Sequence, residues 1–414
     1  MRGRAPSRAL IIGGSLAGLF AANLLRRIGW KVMVCERSAS DLAGRGAAIS
    51  SHDALTPILH GIGIAFDHSN AIETSANICI DKRGRITHRL QIAPPRLATA
   101  WGRLYRPLKH ALPPDCYRPG LQLVRVEPAP AGVAAVFGDG TRIEADLLVA
   151  ADGTQSTVRG QFLPDAQPRY AGYVCWRFVV PECDLDPEFR IAIAPDFSFF
   201  LAEGQMLHGF LIPGLDDEAS AGQRAYCVVW YRRADAEMDL PRLLSDGRGR
   251  AYGISTPPSV IRLEVIDEAR RAAARCLPAE FARIMARAKQ PLLQAIVDLE
   301  SPRLAFDRVA LLGDAAFTAR PHVAAGVLKA ALDAECLARS IAAYPDDPDA
   351  ALRHYDSARR RVGQAIVARG RYLGAHLEAP TAFPKGSTGA RLGRDPEALM
   401  SDYGRSNLGD TELV

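Results

Sequence analysis

The amino-acid sequence predicts an α/β protein. One α/β domain, assembled from three separated stretches of chain, carries an inserted β-rich domain and is followed by a long helix. Three observations predict this. Short aliphatic runs end at glycine within residues 9–50, 145–160 and 308–330. Between the second and third of these, residues 172–233 turn aromatic and β-branched, broken by Pro, Gly and Asp. A chain of 414 residues exceeds one ordinary core, and no internal repeat accounts for its length.

The first stretch, RALIIGGSLAGLF, begins at Arg8. Ala9 to Ile12 reads as a buried parallel strand. Leu16, Leu19, Phe20, Leu24 and Ile28 then recur at helical spacing, and Val32 to Cys35 is a second strand ending at Glu36. Strand, glycine turn, helix and strand within about 30 residues make a βαβ unit. Gly13 suits the sharp turn, and Gly18 lets the helix approach the strands. Free N–H groups at the helix start, spanning Gly14, Ser15, Leu16 and Ala17, suit a pyrophosphate. Glu36 lies 23 positions after Gly13, a spacing suited to ribose hydroxyls. Ser15 stands where the G-x-G-x-x-G pattern has its second glycine. It is small enough for close approach and adds a hydroxyl donor. Together these features predict dinucleotide binding, and a free 2′ ribose hydroxyl suits FAD or NAD.

The loop GRGAAIS follows at 44–50. Its small residues, Gly46 and Ala47 among them, suit backbone running beside a ligand, and Arg45 is placed to face a phosphate; a plain surface loop is the alternative. Residues 99–112 read as helical only as far as Pro107. Asp139-Gly140 marks a hairpin, and Leu147 to Ala150 form another buried strand ending at Asp152-Gly153. Ser156 is placed to cap the helix that follows. Taken alone, Asp152 is more often a turn residue than a ligand. Residues 262–300 read as helical. Arg308 to Phe317 then return to a buried strand ending at Gly313-Asp314, and a long helix starts near Val327. An amphipathic helix spans roughly 349–377, and the tail from Pro380 reads as loosely ordered.

Composition narrows the function class. The net charge of +5 is small for the length, and although 45 of the 51 basic residues are arginine, they are scattered. A mixed-charge surface is expected rather than a nucleic-acid groove. The eight cysteines form no C-x-x-C pair, which argues against a zinc ribbon or a redox dithiol. No apolar run approaches 18 residues, and the start, MRGRAPSR, lacks the apolar segment of a signal peptide. The sequence therefore predicts a cytoplasmic protein with reduced thiols and no membrane partner.

The three stretches IIGGSLAGLFAANLLRRIGWKVMVCERS, DLLVAADGTQSTVR and RVALLGDAAFTARPHVAAGVLKAALDA, in this order, resemble the FAD-dependent aromatic hydroxylases of the 4-hydroxybenzoate hydroxylase superfamily. GRGAAI, YAGYVCWR and ARPHVAAGVLKAA resemble its 2,6-dihydroxypyridine 3-hydroxylase-like branch, and the similarity covers about residues 8–376. The resemblance implies a glutathione-reductase-type Rossmann FAD domain in three parts (1–75, 99–171 and 301–345), with an inserted β-sheet substrate domain (76–98 and 172–300). A C-terminal helix (346–379) and a loosely ordered tail (380–414) complete it. It implies that Gly13, Ser15, Gly18 and Glu36 hold the ADP half, with Arg37 and Arg45 near the adenosine and pyrophosphate. Asp152-Gly153 supports the cofactor, Gly313-Asp314 meets the ribityl chain, and Pro321, Ala324, Ala325, Gly326 and Val327 line the flavin ring. Two departures stand out: Ala324 replaces a glycine common in relatives, and Leu328 replaces a small residue, which would make a bulkier wall beside the flavin. Trp101 stands where relatives place a flavin-contacting arginine, with Arg103 and Arg106 nearby.

The resemblance further implies hydroxylation of an electron-rich phenol- or hydroxypyridine-like ring with NADH or NADPH and O₂, through a flavin C4a-hydroperoxide, in a protein often homodimeric. Ring activation needs a proton acceptor. His322, in the flavin-lining loop, is the first candidate. His208 and Tyr231, on strands of the substrate domain, and His52, after the GRG loop, are others. Tryptophans 30, 101, 176 and 230 form no W-x-W, which argues against a halogenase. No second nicotinamide fingerprint supports a disulfide reductase, and ADGTQSTVR and LLGDAAF do not suit a plain dehydrogenase. An oxidative enzyme acting on a fused aromatic or quinone, another flavoprotein oxidoreductase and a non-catalytic flavin-binding partner stay open as alternatives.

Overall fold

The computed structural model describes residues 7–42, 48–65, 71–130, 132–214, 218–378 and 395–403. Arg45, Gly46 and Ala47 lie outside the described residues.

The three glycine-terminated stretches meet in one six-stranded sheet. Its order is Ala305–Phe306, Val309–Leu311, Leu147–Ala150, Arg8–Ile12, Lys31–Glu36, Tyr117–Pro119. All neighbours are parallel except the first pair, with Ala9 opposite Leu147 and Val32. Ala9 to Ile12 and all of Leu147–Ala150 are buried. Strands covered on both faces need continuous apolar runs, and that is what the sequence supplies. The helix Leu16–Arg27 covers one face and packs against the helix Gly326–Ala343.

The larger sheet is mixed. Its main path runs Ser255–Thr256, Leu292–Glu300, Arg169–Pro181, Ala225–Arg233, Gln205–Ile212, Phe197–Ala202, Ile72–Ile80, Ile86–Ala100, Ala48–Ser51. Alternation sorts its two faces. Val174, Trp176, Phe178 and Trp230 pack with residues of helices Leu263–Cys276 and Ala279–Arg287. Tyr173, Cys175, Cys227 and Tyr231 form a separate cluster on the other face. Ala48–Ser51 joins this sheet by pairing with Ile86–Ala100, and the next strand of the sheet, Ile72–Ile80, begins four residues before the expected boundary at 76.

Three local expectations need correction. The helix at 101 does not stop at Pro107 but runs Trp101–His110. Leu104, Tyr105 and Leu108 are anchored in the core, and Asn23 donates to the Leu108 carbonyl at 2.8 Å, so packing outweighs the lost proline N–H. Helix does not extend to 300: Leu292–Glu300 is a strand pairing with Arg169–Pro181, because an apolar run this short fits either period. The tail is not loose throughout. Pro396–Asp402 is a helix capped by Asp395, with Leu399 and Met400 buried, and Asn77 donates to the Met400 carbonyl at 2.7 Å.

The long helix Pro348–Gly374 reaches the underside of the loop at 317–322 through a stripe of glycines. A methyl at Gly363 would stand 2.2 Å from the Phe317 ring, and one at Gly374 would stand 2.4 Å from the Tyr173 hydroxyl. All eight cysteines are free thiols. Among the described residues, no helix is long and apolar enough to cross a membrane, and no group of side chains could hold a metal ion.

Candidate active site

Two cavities flank the carboxyl ends of the parallel strands, the usual ligand position in such sheets. The first, of about 350 Å³, is lined by Gly13, Ser15, Glu36, Arg37, Trp101 and Asp152, among others. Main chain shapes it. Gly13 has φ +106°, and a methyl there would lie 2.2 Å from the Ala151 carbonyl oxygen. A methyl on Gly18 would lie 1.9 Å from the Gly13 carbonyl oxygen, and one on Gly14 would meet the Tyr117 hydroxyl at 2.2 Å. Ser15 occupies the N-cap of its helix, yet its hydroxyl makes no capping bond. Leu16 is core and contributes backbone only. Ala17 is small enough to admit Gly313, whose added methyl would come within 2.9 Å of the Ala17 Cβ.

Two acids face this cavity. Buried Glu36 accepts the N–H groups of Gly14 and Ser38, each at 2.8 Å, and these bonds fix its orientation. Asp152 accepts from Thr157 N–H at 2.8 Å, while its Oδ1 is buried without a partner. Burial pushes its carboxyl above the ordinary range. Gly153 follows with φ +81°. Ser156 accepts from Arg159 N–H at 2.9 Å and caps the next helix.

The second cavity, of about 310 Å³, lies between the loop at 314–327 and the large sheet. Asp314, Pro321, Ala324, Ala325, Gly326 and Val327 line one wall. Ala324 has φ +53°, a left-handed conformation that favours glycine. His52 Nε2 donates to its carbonyl at 3.0 Å; the carbonyl can only accept, so that ring nitrogen carries the proton. His52 therefore braces the loop. The first i→i−4 bond of the helix Gly326–Ala343 runs from Lys329 N–H to the Ala325 carbonyl, leaving the earlier N–H groups without helical partners. Asp314 is exposed and accepts no side-chain hydrogen bond from any described residue; desolvation by the surrounding protein pushes its carboxyl up while Lys329 draws it down.

A buried network holds the Gly313-Asp314 turn. Lys329 Nζ donates to the Gly313 carbonyl at 2.7 Å and to Asp333 at 3.3 Å. Asp333 also accepts from Gly313 N–H at 3.2 Å and from Arg359 Nε at 2.7 Å. Burial opposes its ionisation, but the two cations hold its carboxyl below the usual range. Sequence inspection missed this network: a lysine four residues before an aspartate on a helix reads as a surface pair.

The candidate bases separate in space. His322 does not line the cavity; it is fully buried, and its Nε2 shares a 2.7 Å hydrogen bond with the Tyr173 hydroxyl. Its position in the loop sequence suggested the flavin face, but its side chain turns into the protein, toward Tyr173 and behind Tyr231, whose ring lies 4.7 Å away between centroids. His208 does line the cavity, is 1 % exposed, and has no hydrogen-bond partner on either ring nitrogen. Burial depresses its pKa well below the ordinary histidine value, which keeps it neutral. Tyr231 lines the cavity nearby, and burial keeps its hydroxyl protonated. Leu328 is no cavity wall; it is buried in the core of the first domain. Trp101 lines the first cavity and stacks on Tyr105 at 4.6 Å. Arg177 and Tyr403, also in the second cavity, went unnoticed in the sequence. An arginine within the apolar strand YVCWRFVV was the available signal.

Comparison with known proteins agrees with this architecture. A family model described as an FAD binding domain matches residues 7–97, and one described as FAD binding domain-like matches residues 170–298. The 3-amino-4-hydroxybenzoate 2-monooxygenase of Streptomyces cremeus is 30 % identical over 413 residues, covering 96 % of this chain and 95 % of that protein. The 2,6-dihydroxypyridine 3-monooxygenase of Paenarthrobacter nicotinovorans is 29 % identical over 393 residues, 93 % of this chain and 95 % of that one. The solved 2,6-dihydroxypyridine-3-hydroxylase from Arthrobacter nicotinovorans superimposes with a TM-score of 0.84 at 28 % identity, covering 93 % of this chain and 96 % of that chain. With near full-length matches on both sides and the p-hydroxybenzoate hydroxylase-type fold, this chain belongs to the FAD-dependent aromatic hydroxylases and is a flavoprotein monooxygenase.

Proposed function

We propose that this protein hydroxylates a small hydroxylated aromatic or N-heteroaromatic ring, using NAD(P)H as reductant, with FAD bridging the two cavities. The observation that carries the proposal is the second cavity. There the amino end of the Gly326–Ala343 helix and an unbonded Asp314 face a sheet that presents His208 and Tyr231. The named relatives act on dihydroxypyridine and on aminohydroxybenzoate, which supports the ring chemistry.

The chain fits the cofactor. The Gly13-Gly14 turn is packed so closely on Ala151 and Tyr117 that no Cβ fits there, and the unused Ser15 hydroxyl and helix N–H groups suit the pyrophosphate. Glu36 suits the adenosine ribose, with Arg37 at the exposed rim. The orphaned Asp152 Oδ1 suits a donor on the cofactor, Asp314 suits the ribityl hydroxyls, and Pro321 through Val327 suit the ring. Bound FAD would supply the redox and oxygen-activating chemistry.

The remaining work falls to side chains. Partial positive charge at the start of the 326 helix favours electron density on the adjoining ring system. His208, neutral and unpaired, accepts or donates a hydrogen bond at the substrate ring. Tyr231 donates. Phe197 and Tyr403 wall the cavity and help exclude water, without which oxygen transfer competes with loss of reduced oxygen. The test is purified protein reconstituted with FAD and given a panel of hydroxypyridines and hydroxybenzoates. NAD(P)H consumption should rise with a subset, and mass spectrometry should show one added oxygen atom. Protein that stays colourless after incubation with FAD, or NAD(P)H oxidation indifferent to every ring, overturns the proposal.

A further inference from the structure

Four cations line the second cavity: Arg96, Arg177, Arg320 and Lys329. Three are committed. Arg96 donates to Asn77 Oδ1 at 3.3 Å and to the Tyr403 carbonyl. Arg320 pairs with Asp298 at 3.0 Å and with Glu378. Lys329 is held by Asp333 and the Gly313 carbonyl. Arg177 differs. Among the described residues no carboxylate pairs with it, and no oxygen accepts from its guanidinium. The titratable groups that act on it most strongly are Cys175, Cys227, Tyr231 and Tyr403. Burial pushes the two thiols to about 11 and about 12 and raises both phenols, so all four are neutral at neutral pH. Arg177 is therefore the one cation of this lining with no bonded counter-ion among the described residues, and Asp314, the one acid of the lining, makes no side-chain bond to it; a cation withdrawn from water in this way is costly until an anion completes it.

Its position is defined by strand register. Arg177 is opposite Val229, and Val229 is opposite His208, on three adjacent strands. All three residues line the cavity. Adjacent strands are about 4.8 Å apart, so this row holds a cation and a neutral imidazole about 10 Å apart at the backbone, with only a valine between them. The valine leaves floor space for one ring.

We propose that Arg177 is the specificity-determining residue of this site: it receives an anionic oxygen of the substrate ring while His208 meets the opposite edge. The ligand class is an aromatic or heteroaromatic anion, its charge on a carboxylate substituent or on an ionised ring oxygen. The inference rests on the hydroxylase function proposed above. A guanidinium beside a ring oxygen selects the ring that has already lost its proton to water, which agrees with a cavity where His208, the histidine lining it among the described residues, is a weak proton acceptor.

The test uses FAD-reconstituted enzyme and two matched pairs of probes, read by the change in flavin absorbance on binding. 6-Hydroxynicotinate against its amide reports a carboxylate. 2,6-Dihydroxypyridine against 2,6-dimethoxypyridine reports a ring oxygen. The wild type should prefer the ionisable member of at least one pair. Arg177→Met should weaken that member's binding about 10- to 100-fold and leave its neutral match unchanged, with Arg177→Lys in between. Equal binding of both members by the wild type overturns the proposal, whether or not the variants fold. So does a preference that survives in Arg177→Met, or a loss of FAD affinity in that variant in place of the ligand preference. If a ring is turned over but its binding ignores Arg177, this inference alone fails. If no ring binds or is turned over, the hydroxylase proposal fails and takes this inference with it.

Discussion

The two cavities are built from different materials. The turn that opens the first, at the end of a βαβ unit, is fixed by close approaches: a methyl added at Gly13 or Gly18 would meet main-chain carbonyl oxygens at 2.2 and 1.9 Å, and one at Gly14 would meet the Tyr117 hydroxyl at 2.2 Å. The second is made of side chains drawn from the large sheet, the loop at 314–327 and the C-terminal segment, and a non-glycine residue, Ala324, tolerates a left-handed φ there. A cavity defined by backbone admits almost no variation, because a Cβ has nowhere to go. A cavity defined by side chains can be retuned by substitution. That division suits a protein that binds one constant cofactor beside a substrate that differs among relatives.

The contrast can be broken most forcibly at Gly18. Gly18→Val should cost about 3 kcal/mol or more of stability and eliminate bound flavin, seen as colourless protein and a lower denaturant midpoint. Retention of the yellow colour at wild-type stability would show that the first cavity is not defined by backbone. Next in size is Lys329→Met. It removes one of two cations from buried Asp333 and should destabilise by about 3 kcal/mol. Added flavin should then bind more weakly, since the Gly313 carbonyl loses its donor; unchanged flavin affinity would separate the network from the site.

A pH effect whose share is about 2 kcal/mol for each histidine between pH 6.5 and 5 tests how closed the second region is. His208 and His322 are depressed well below the ordinary histidine value and His376 is pushed down to about 4, in each case chiefly by burial. In the unfolded chain these histidines take up protons near pH 6.5, while the folded chain does not. Stability is therefore fully present above that pH. It falls as pH drops toward the folded values, by about 1.4 kcal/mol per pH unit for each histidine that stays neutral. Urea melts between pH 7 and 5 should show the slope, and His208→Phe should lessen it. A flat profile would mean that the imidazoles are hydrated. The smallest effect belongs to Ala324→Gly, which relieves the left-handed φ and should stabilise by no more than about 1 kcal/mol, with flavin retained. A large loss there would show that the loop depends on its methyl group.

Much of the first region was legible in the chain. The strand–glycine–helix order and the Ser156 cap are local relations, set by residues within one or two turns of each other, and Glu36 closes the same βαβ unit 23 positions after Gly13. The second region was not. His322 looked correct because it neighbours Pro321 in sequence, yet its ring points at Tyr173. Leu328 looked like a wall and is core. Tyr403 comes from a segment whose composition suggested disorder, yet a short helix carries it to His208 at 4.3 Å between ring centroids.

By itself, the sequence determined the α/β class, the three-part first sheet and the order in which glycine turns and acids end its strands. Those features depend on periodicity and on backbone conformations that only certain residues adopt. Tertiary structure alone decided which histidine faces the cavity, which cation is left without a partner and which part of the tail closes the wall. Each of these depends on strand register and on long-range packing, where a shift of one residue reverses the face a side chain occupies.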